Sequence, residues 1–237
     1  MLKYIRLHLD YLMTKTFVII TIILFFILML AYIYNSQVLD GYEYLDAYKY
    51  DFAYDFLNES FLVLEFITVF IGIYIGLNLG SKSNQALAIY TVTSKKAKRL
   101  FYSSRMITGL ILITLVFICQ ILILHAYSHA FTPYIIDLKI YYLQAMYLYM
   151  ENIQYYLLTL IFIMIFKHLL VGLIPLLMFW IFEIMWPQVN NIHKSIINNF
   201  IINIQGFDYI EKNLLFYLII YHFLAISYII ILIQKDC

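Results

Sequence analysis

Six long apolar runs, separated by polar segments, set the pattern of this chain. They lie at residues 17–34, 61–79, 106–127, 148–166, 169–186 and 213–233. An α-helix needs about 20 predominantly apolar residues to cross the hydrocarbon core of a bilayer. The pattern therefore predicts an all-α membrane protein, with residues 1–237 forming a single transmembrane domain of about six transmembrane helices.

Residues 1–16 are amphipathic instead of uniformly apolar. The charged residues Lys3, Arg6 and Asp10 alternate with apolar side chains that recur at helical spacing, at Leu2, Ile5, Leu9 and Leu12. Such segregation is typical of a helix that lies in the membrane interface. We therefore expect an N-terminal amphipathic elbow helix, the alternative being a frayed basic tail.

The Lys and Arg residues are distributed unevenly between the segments that join the predicted spans. If the N-terminus is cytoplasmic, only Lys49, Lys139, Lys194 and Lys212 fall on the outer side. The cytoplasmic side then holds Lys3, Arg6, Lys15, Lys82, Lys95, Lys96, Lys98, Arg99, Arg105, Lys167 and Lys235. Because cytoplasmic segments carry an excess of Lys and Arg, this bias predicts that both termini are cytoplasmic.

The composition agrees with lipid as the main solvent. The chain is 65% hydrophobic and 12% charged, with a mean hydropathy of +0.87. A soluble domain of 237 residues cannot hide so much apolar surface in one core. The many Ile, Tyr, Phe and Asn residues, with few Gly, Ala and Pro, indicate an AT-rich genome. We therefore expect the membrane of a bacterial cell.

The chain carries no motif for catalysis or for binding a cofactor. Cys119 lies in an apolar run and Cys237 is the last residue, so neither a disulfide nor a metal site is expected. His125 and His129 share a helix face, but no third ligand accompanies them at a suitable spacing. Nucleophile–base pairs, metalloprotease motifs and nucleotide fingerprints are missing. We expect no enzymatic activity in this chain and no nucleic-acid partner.

Three ionisable residues inside predicted spans are candidate pathway residues: Glu65, Glu183 and His222. Ionisable groups are costly in hydrocarbon and often mark transport pathways. The alternative for the two glutamates is a hydrogen-bonded structural role near the outer interface. For His222 it is a buried, hydrogen-bonding histidine.

Glycines at four-residue steps mark one face of the second predicted span. Since Gly72, Gly76 and Gly80 lack a Cβ, another helix can approach that face closely. We expect it to pack on a helix of this chain or on a second subunit. In the fifth predicted span, Pro175 follows Gly172 and predicts a kink or a break.

The segment between the first two spans, residues 35–60, combines acidic residues with tyrosines. Its acidic residues are Asp40, Glu43, Asp46, Asp51, Asp55 and Glu59, against Lys49 alone. Two interpretations stay open: a vestibule that attracts cationic cargo, or a solvated face at the tyrosine-rich interface. Residues 128–147 and 187–212 are too polar to span, so we expect interfacial or re-entrant segments on the outer side.

Residues 81–105, between the second and third spans, run from Asn84-Gln-Ala-Leu-Ala-Ile-Tyr-Thr into Lys95-Lys-Ala-Lys-Arg. The order of elbow, span, outer loop, span, this segment and further spans resembles the ABC-2 type permease family, the membrane subunits of one class of ATP-driven exporters. The short apolar helix of that family is matched by Leu87, Ala88, Ile89 and Tyr90. Thr93-Ser94 matches its polar break and 95–105 its basic helix, while Ser83-Asn84-Gln85 replaces its acidic-Gly start.

The resemblance implies a cytoplasmic coupling helix that docks in a groove of a separate ATP-binding subunit. Its contact residues would be Asn84, Gln85, Leu87, Ala88, Ile89, Tyr90 and Thr91. Two copies of the ATP-binding subunit, carrying ATP and Mg, would join two membrane subunits, identical or paralogous, among membrane lipids. This chain would bind no cofactor itself.

The expected function is export of an amphipathic peptide, such as a bacteriocin or a phenol-soluble modulin, or of another hydrophobic cargo. A second class stays open: an ATP-independent membrane protein, either a channel or a toxin-immunity factor. Activity that persists when ATP is depleted would distinguish the second class from the first.

Overall fold

The computed structural model describes residues 1–40, 49–84, 86, 92, 94–132, 138–178, 181 and 222–231, and this part of the chain is almost entirely helical, without a β-strand. The long elements are α1 (Leu2–Leu12), α2 (Lys15–Asp40), α3 (Lys49–Gly80), α4 (Lys95–Phe131) and α5 (Leu138–Phe166). A 3-10 helix, Leu169–Leu173, continues as an apolar helix to Met178, and α6 covers His222–Ile231.

In the described part of the chain, four helices are long and apolar enough to cross a membrane, which indicates an all-α membrane protein. Their spanning portions are Lys15–Ser36, Glu59–Gly80, Lys95–Phe131 and Tyr141–Phe166. They correspond to the first four predicted spans. The fifth and sixth predicted spans are described only in part, as the shorter apolar helices Leu169–Met178 and His222–Ile231.

The helices extend further than their apolar runs. Lys95 begins α4, so the basic half of the 81–105 segment is its first three turns; Ser94 caps this start, its Oγ accepting from the Ala97 N–H at 3.2 Å. At the other end, α5 already begins at Leu138, within the 128–147 segment expected to be re-entrant. The described part of this segment thus belongs to two long helices. These helices accommodate its polar residues Ser128 and Gln144 by burying both inside the protein.

The residue that follows α5 has a left-handed backbone conformation, although it is not a glycine. Lys167 has a φ of 54°, and its N–H donates to the Ile163 carbonyl at 2.9 Å. The 3-10 helix follows, and the backbone returns to α geometry at Ile174. Pro175 therefore lies in the first turn of an α-helical stretch, where proline is tolerated.

Neighbouring helices alternate in direction, so α3 and α5 run parallel. Along α3, Gly72, Gly76 and Gly80 meet successively later residues of α5. Along α4, successively later residues meet successively earlier ones of α5, as in the pairs Thr114–Tyr149 and Ile121–Tyr141. The outward surface of α2 is apolar and exposed, which suits contact with lipid.

One end of the bundle gathers most of the described cations, and we call it the basic end. It comprises α1, the start of α2, the end of α3, the start of α4 and the end of α5. Its exposed cations are Lys3, Arg6, Lys15, Lys82, Lys95, Lys96, Arg99 and Lys167.

Candidate functional site

The amphipathic helix α1 is fastened across the ends of α3 and α4. The Tyr11 hydroxyl lies 2.8 Å from the Ser81 hydroxyl, just after α3. The His8 ring donates through Nε2 to the Phe101 carbonyl of α4 at 3.1 Å and packs edge-on against the Phe101 ring, centroids 4.5 Å apart. The apolar face of α1 thus joins the two helices that flank residues 81–94.

His8 is fully buried in this junction. The pKa of His8 is lowered from 6.5 to about 4, chiefly by burial and with a contribution from the nearby Arg105 charge, against the opposing effects of the Phe101 carbonyl and the Asn84 side chain. His8 is therefore neutral at pH 7. Because its Nε2 carries the proton donated to Phe101, its Nδ1 presents a lone pair to the interior.

Arg105 lies one turn further along α4 and is 0% exposed. Its Cζ lies 4.8 Å from the centre of the Tyr102 ring and 5.7 Å from that of the Phe101 ring. Its backbone carbonyl accepts from the Tyr156 hydroxyl of α5 at 3.1 Å. The two aromatic rings stabilise the guanidinium by cation–π contact. The hydrogen bond from Tyr156 holds the turn of α4 that carries Arg105.

The predicted coupling residues fall largely outside the described part of the chain. Gln85, Leu87, Ala88, Ile89, Tyr90 and Thr91 belong to that set. Asn84 is described, and its side chain is fully buried beside His8 rather than on the surface. The basic run that follows the segment presents Lys95, Lys96 and Arg99 to solvent.

The glycine face of α3 lies against α5 of the same chain. A Cβ on Gly72 would overlap Asn152, one on Gly76 would lie 2.9 Å from Thr159 Cγ2, and one on Gly80 would lie 2.6 Å from Ile163 Cδ1. These distances are too short for ordinary side-chain contact, so the close approach of α3 and α5 requires glycine at these positions.

Polar side chains are buried in the membrane-spanning part of the bundle at the level of Glu65. Phe61 of α3 contacts Tyr141 of α5, with ring centroids 5.6 Å apart. Since α3 and α5 run parallel, Glu65 lies about one turn beyond Phe61, level with Gln144. Glu65 and Gln144 are 1% and 2% exposed.

Gln120 of α4 lies in the same layer. The Tyr141 hydroxyl donates to the Ile121 carbonyl at 2.6 Å, which places Gln120 near the Gln144 turn of α5. The side-chain amides of Gln120 and Gln144 form no hydrogen bond with described residues. A buried amide without a partner costs about 1–3 kcal/mol.

Further polar residues continue from this layer towards the basic end. Glu151 and Asn152 follow two turns later on α5 and are nearly fully buried. Ser60, next to Phe61 on α3, is also fully buried. We call the set the polar column; it consists of Ser60, Glu65, Gln120, Gln144, Glu151 and Asn152. Ionisable residues within membrane spans usually face the bundle interior or a water-filled cavity, where they often mark transport pathways.

Of the three candidate pathway residues, only Glu65 is placed in the polar column. Glu183 lies outside the described residues. His222 begins α6, where its side chain is exposed. α6 nevertheless reaches the basic end, since the Tyr228 hydroxyl donates to the Tyr102 carbonyl at 3.3 Å.

Sequence reasoning missed several of these positions. Glu151 lies inside the predicted span 148–166. The sequence could have identified it as a candidate, because an acidic residue within an apolar run is unusual. His8 and Arg105 carried no comparable signal. Arg105 was counted with the cytoplasmic cations, and His8 was assigned no role. The burial of both depends on α1 folding back over α4.

An apolar cleft opens between α4 and α5, away from the polar column. Its volume is about 490 Å³, and Phe117, Ile121, Tyr142 and Met146 are among its lining residues. Such a lining suits an acyl chain or an apolar helix. Among the described residues, no group of His, Cys, Asp and Glu is arranged to hold a metal ion.

No protein-family model, curated protein or solved structure matches this chain.

Proposed function

We propose that this chain is the membrane-spanning permease subunit of an ABC exporter, which moves an amphipathic peptide or other hydrophobic cargo out of a bacterial cell. ATP would be hydrolysed by two copies of a separate cytoplasmic subunit. The membrane part would comprise this chain and a second one, identical or paralogous. The observation that carries the proposal is the polar column inside the membrane-spanning helices.

Within the polar column, Gln120 and Gln144 support transport, because their buried amides have no hydrogen-bond partner among the described residues. Leu at the Gln120 and Gln144 positions would pack the same layer without burying two amides that lack partners. An amphipathic cargo carries its own amides and charges, which such a layer can receive during passage. Glu65, at the same level, adds an acidic group that favours cationic cargo.

The basic end supports coupling to a partner that supplies energy. α1 is joined to the Ser81 and Phe101 sides of residues 81–94, so a push on that segment is transmitted to both α3 and α4. The exposed cations Lys95, Lys96 and Arg99 favour a cytoplasmic location for this end. An acidic docking surface on the partner would meet complementary charge.

The orientation is tested with a matched pair of introduced thiols, in a background where Cys119 and Cys237 are replaced by serine. Glu59→Cys lies on the exposed surface of α3, at the end of its span far from the basic end, and Lys96→Cys lies at the basic end. On intact cells, an impermeant maleimide should label Glu59→Cys and should reach Lys96→Cys only after permeabilisation. Labelling of Lys96→Cys on intact cells, with Glu59→Cys protected until permeabilisation, would contradict the proposal.

Docking is tested by copurification with the ATP-binding subunit of the same bacterium. Leu87→Asp with Ile89→Asp should abolish copurification and the stimulation of ATP hydrolysis. Leu138→Asp, an exposed apolar position at the opposite end, is the matched control and should change neither. Equal copurification of both variants would contradict docking at residues 84–91.

Transport through the polar column is tested separately. Gln144→Leu should reduce ATP-dependent export at least ten-fold without lowering the unfolding midpoint, whereas Met150→Leu on the same helix should leave export intact. Export or toxin protection that continues after ATP depletion would favour the ATP-independent channel or immunity factor instead.

A further inference from the structure

Three buried polar side chains meet at the basic end, each contributed by a different element. His8 comes from α1, Asn84 from the turn after α3, and Arg105 from α4, and all three are 0% exposed. The Phe101 ring contacts both the His8 ring, with centroids 4.5 Å apart, and the Arg105 guanidinium, whose Cζ lies 5.7 Å from its centre. The Asn84 amide also acts on His8, so the three side chains lie together. We call this group the Arg105 pocket.

The hydrogen-bonding capacity of the Arg105 pocket is largely unused. Nε, Nη1 and Nη2 of Arg105 have no acceptor among the described residues. Asn84 Oδ1 and Nδ2 and His8 Nδ1 likewise form no hydrogen bond there, although the Asn84 amide lies beside the His8 ring. Most buried polar atoms in proteins have partners, so three neighbouring exceptions indicate a binding site.

The chemistry of the group selects an anion. Arginine cannot lose its proton in a protein, and a buried charge without a counter-ion is strongly unfavourable. The Tyr102 and Phe101 rings attract the cation but accept no strong hydrogen bond. Asp10, the acidic residue of α1, is exposed to solvent and does not serve as the partner.

The geometry favours a phosphate over a carboxylate. A carboxylate has two oxygens, and the fork of one arginine occupies both. A tetrahedral phosphate has further oxygens for a donor that arrives from another direction, namely the Asn84 amide. The surrounding exposed cations Lys3, Lys82 and Lys95 concentrate anionic lipid at this end.

We propose that His8, Asn84 and Arg105 form a phosphate-binding site that takes the headgroup of an anionic phospholipid. Arg105 binds two phosphate oxygens, Asn84 Nδ2 donates to a third, and Asn84 Oδ1 accepts from a headgroup hydroxyl. The bound headgroup joins α1 to α4 and to the start of residues 84–91. The proposal does not depend on the exporter function, since it concerns lipid binding alone.

The test uses the full chain in a neutral detergent and follows its unfolding midpoint. Phosphatidylglycerol should raise the midpoint, whereas a diacylglycerol with the same acyl chains should not. Inorganic phosphate against chloride at equal ionic strength forms the second arm, which distinguishes a headgroup from a free phosphate. Stabilisation in neither arm would overturn the proposal.

Variants locate the effect. Arg105→Gln should weaken phosphatidylglycerol binding at least ten-fold, and Arg105→Lys should weaken it by a similar factor because the planar fork is lost. Arg99→Gln removes a charge of the same sign from the exposed surface of the same helix and should weaken binding much less. Should Arg105→Gln fail to fold, Asn84→Leu takes its place, with binding measured by retained lipid in native mass spectrometry. Equal lipid retention by the Arg105 and Arg99 variants would overturn the proposal.

Discussion

The Tyr156 ring of α5 fills the space that a side chain at Gly109 of α4 would occupy. A Cβ on Gly109 would overlap the hydroxyl end of Tyr156. The same hydroxyl lies 3.1 Å from the carbonyl of Arg105 and 3.1 Å from that of Met106. The glycine therefore admits the tyrosine, and the tyrosine fixes the turn of α4 that carries Arg105.

Gly109→Ala should destabilise the protein by about 1–3 kcal/mol, because the added methyl group displaces a fully buried ring. Thermal unfolding in detergent measures the loss. Tyr156→Leu alone should also be destabilising, but the double variant should be less so than the sum of the two, since leucine leaves room for the methyl group. Strict additivity would show that the two side chains do not compete for the same space.

The glycine face of α3 predicts that alanine substitutions along it destabilise the protein to different extents. Gly72→Ala would bring its Cβ to 3.0 Å from the Asn152 carbonyl oxygen as well as onto the Asn152 side chain, and backbone cannot move aside cheaply. The three atoms nearest to a Cβ on Gly80 all belong to the Ile163 side chain, which can move more easily than backbone. We therefore expect Gly72→Ala to cost about 1–3 kcal/mol and Gly80→Ala clearly less. The unfolding midpoints of the two variants, compared side by side, decide this, and a larger loss at Gly80 would contradict it.

The four spans of the described bundle could be predicted because each is a run of apolar residues in the sequence. The close-packing face of α3 is likewise visible in the sequence, since a missing Cβ is a local property of Gly72, Gly76 and Gly80. Which helix covers that face was not visible. The α3–α5 pairing joins elements that are not consecutive in the chain, and it arises from the packing of the whole bundle.

The Arg105 pocket could not be predicted for a related reason. Arg105 ends a basic run whose other members, such as Lys96 and Arg99, are exposed. The charge pattern of the sequence placed the whole run on the cytoplasmic surface. The burial of Arg105 follows from α1 lying across α4 and from Tyr156 and Tyr228 closing the other sides, and these contacts join residues far apart in sequence.

The left-handed Lys167 at the end of α5 predicts a stabilising substitution. A left-handed conformation costs a residue with a Cβ roughly 1–2 kcal/mol, and glycine avoids this cost. Lys167→Gly should therefore raise the free energy of unfolding by up to about 1 kcal/mol. Lys167→Asn, which removes the same charge but tolerates this conformation, should be close to neutral. Lys167→Val should be destabilising, and its unfolding midpoint at or above that of the glycine variant would refute the backbone argument.

His8 predicts a loss of stability as the pH falls. In the unfolded chain His8 takes up a proton near its ordinary pKa of 6.5, whereas in the folded protein its pKa is about 4. Between these values the unfolded state binds more protons, so the stabilising contribution of neutral His8 is complete above pH 6.5 and declines towards pH 4.

His8→Gln should accordingly be less stable than the wild type at pH 7, because it loses the packing against Phe101. It should also show a shallower fall between pH 6.5 and pH 4, by up to about 1.4 kcal/mol per pH unit. His129→Gln, at an exposed position near the other end of α4, is the control and should follow the wild-type curve. Unfolding midpoints at closely spaced pH values measure this difference. Parallel curves for the wild type and His8→Gln would mean that folding does not change the pKa of His8, and would contradict the burial argument.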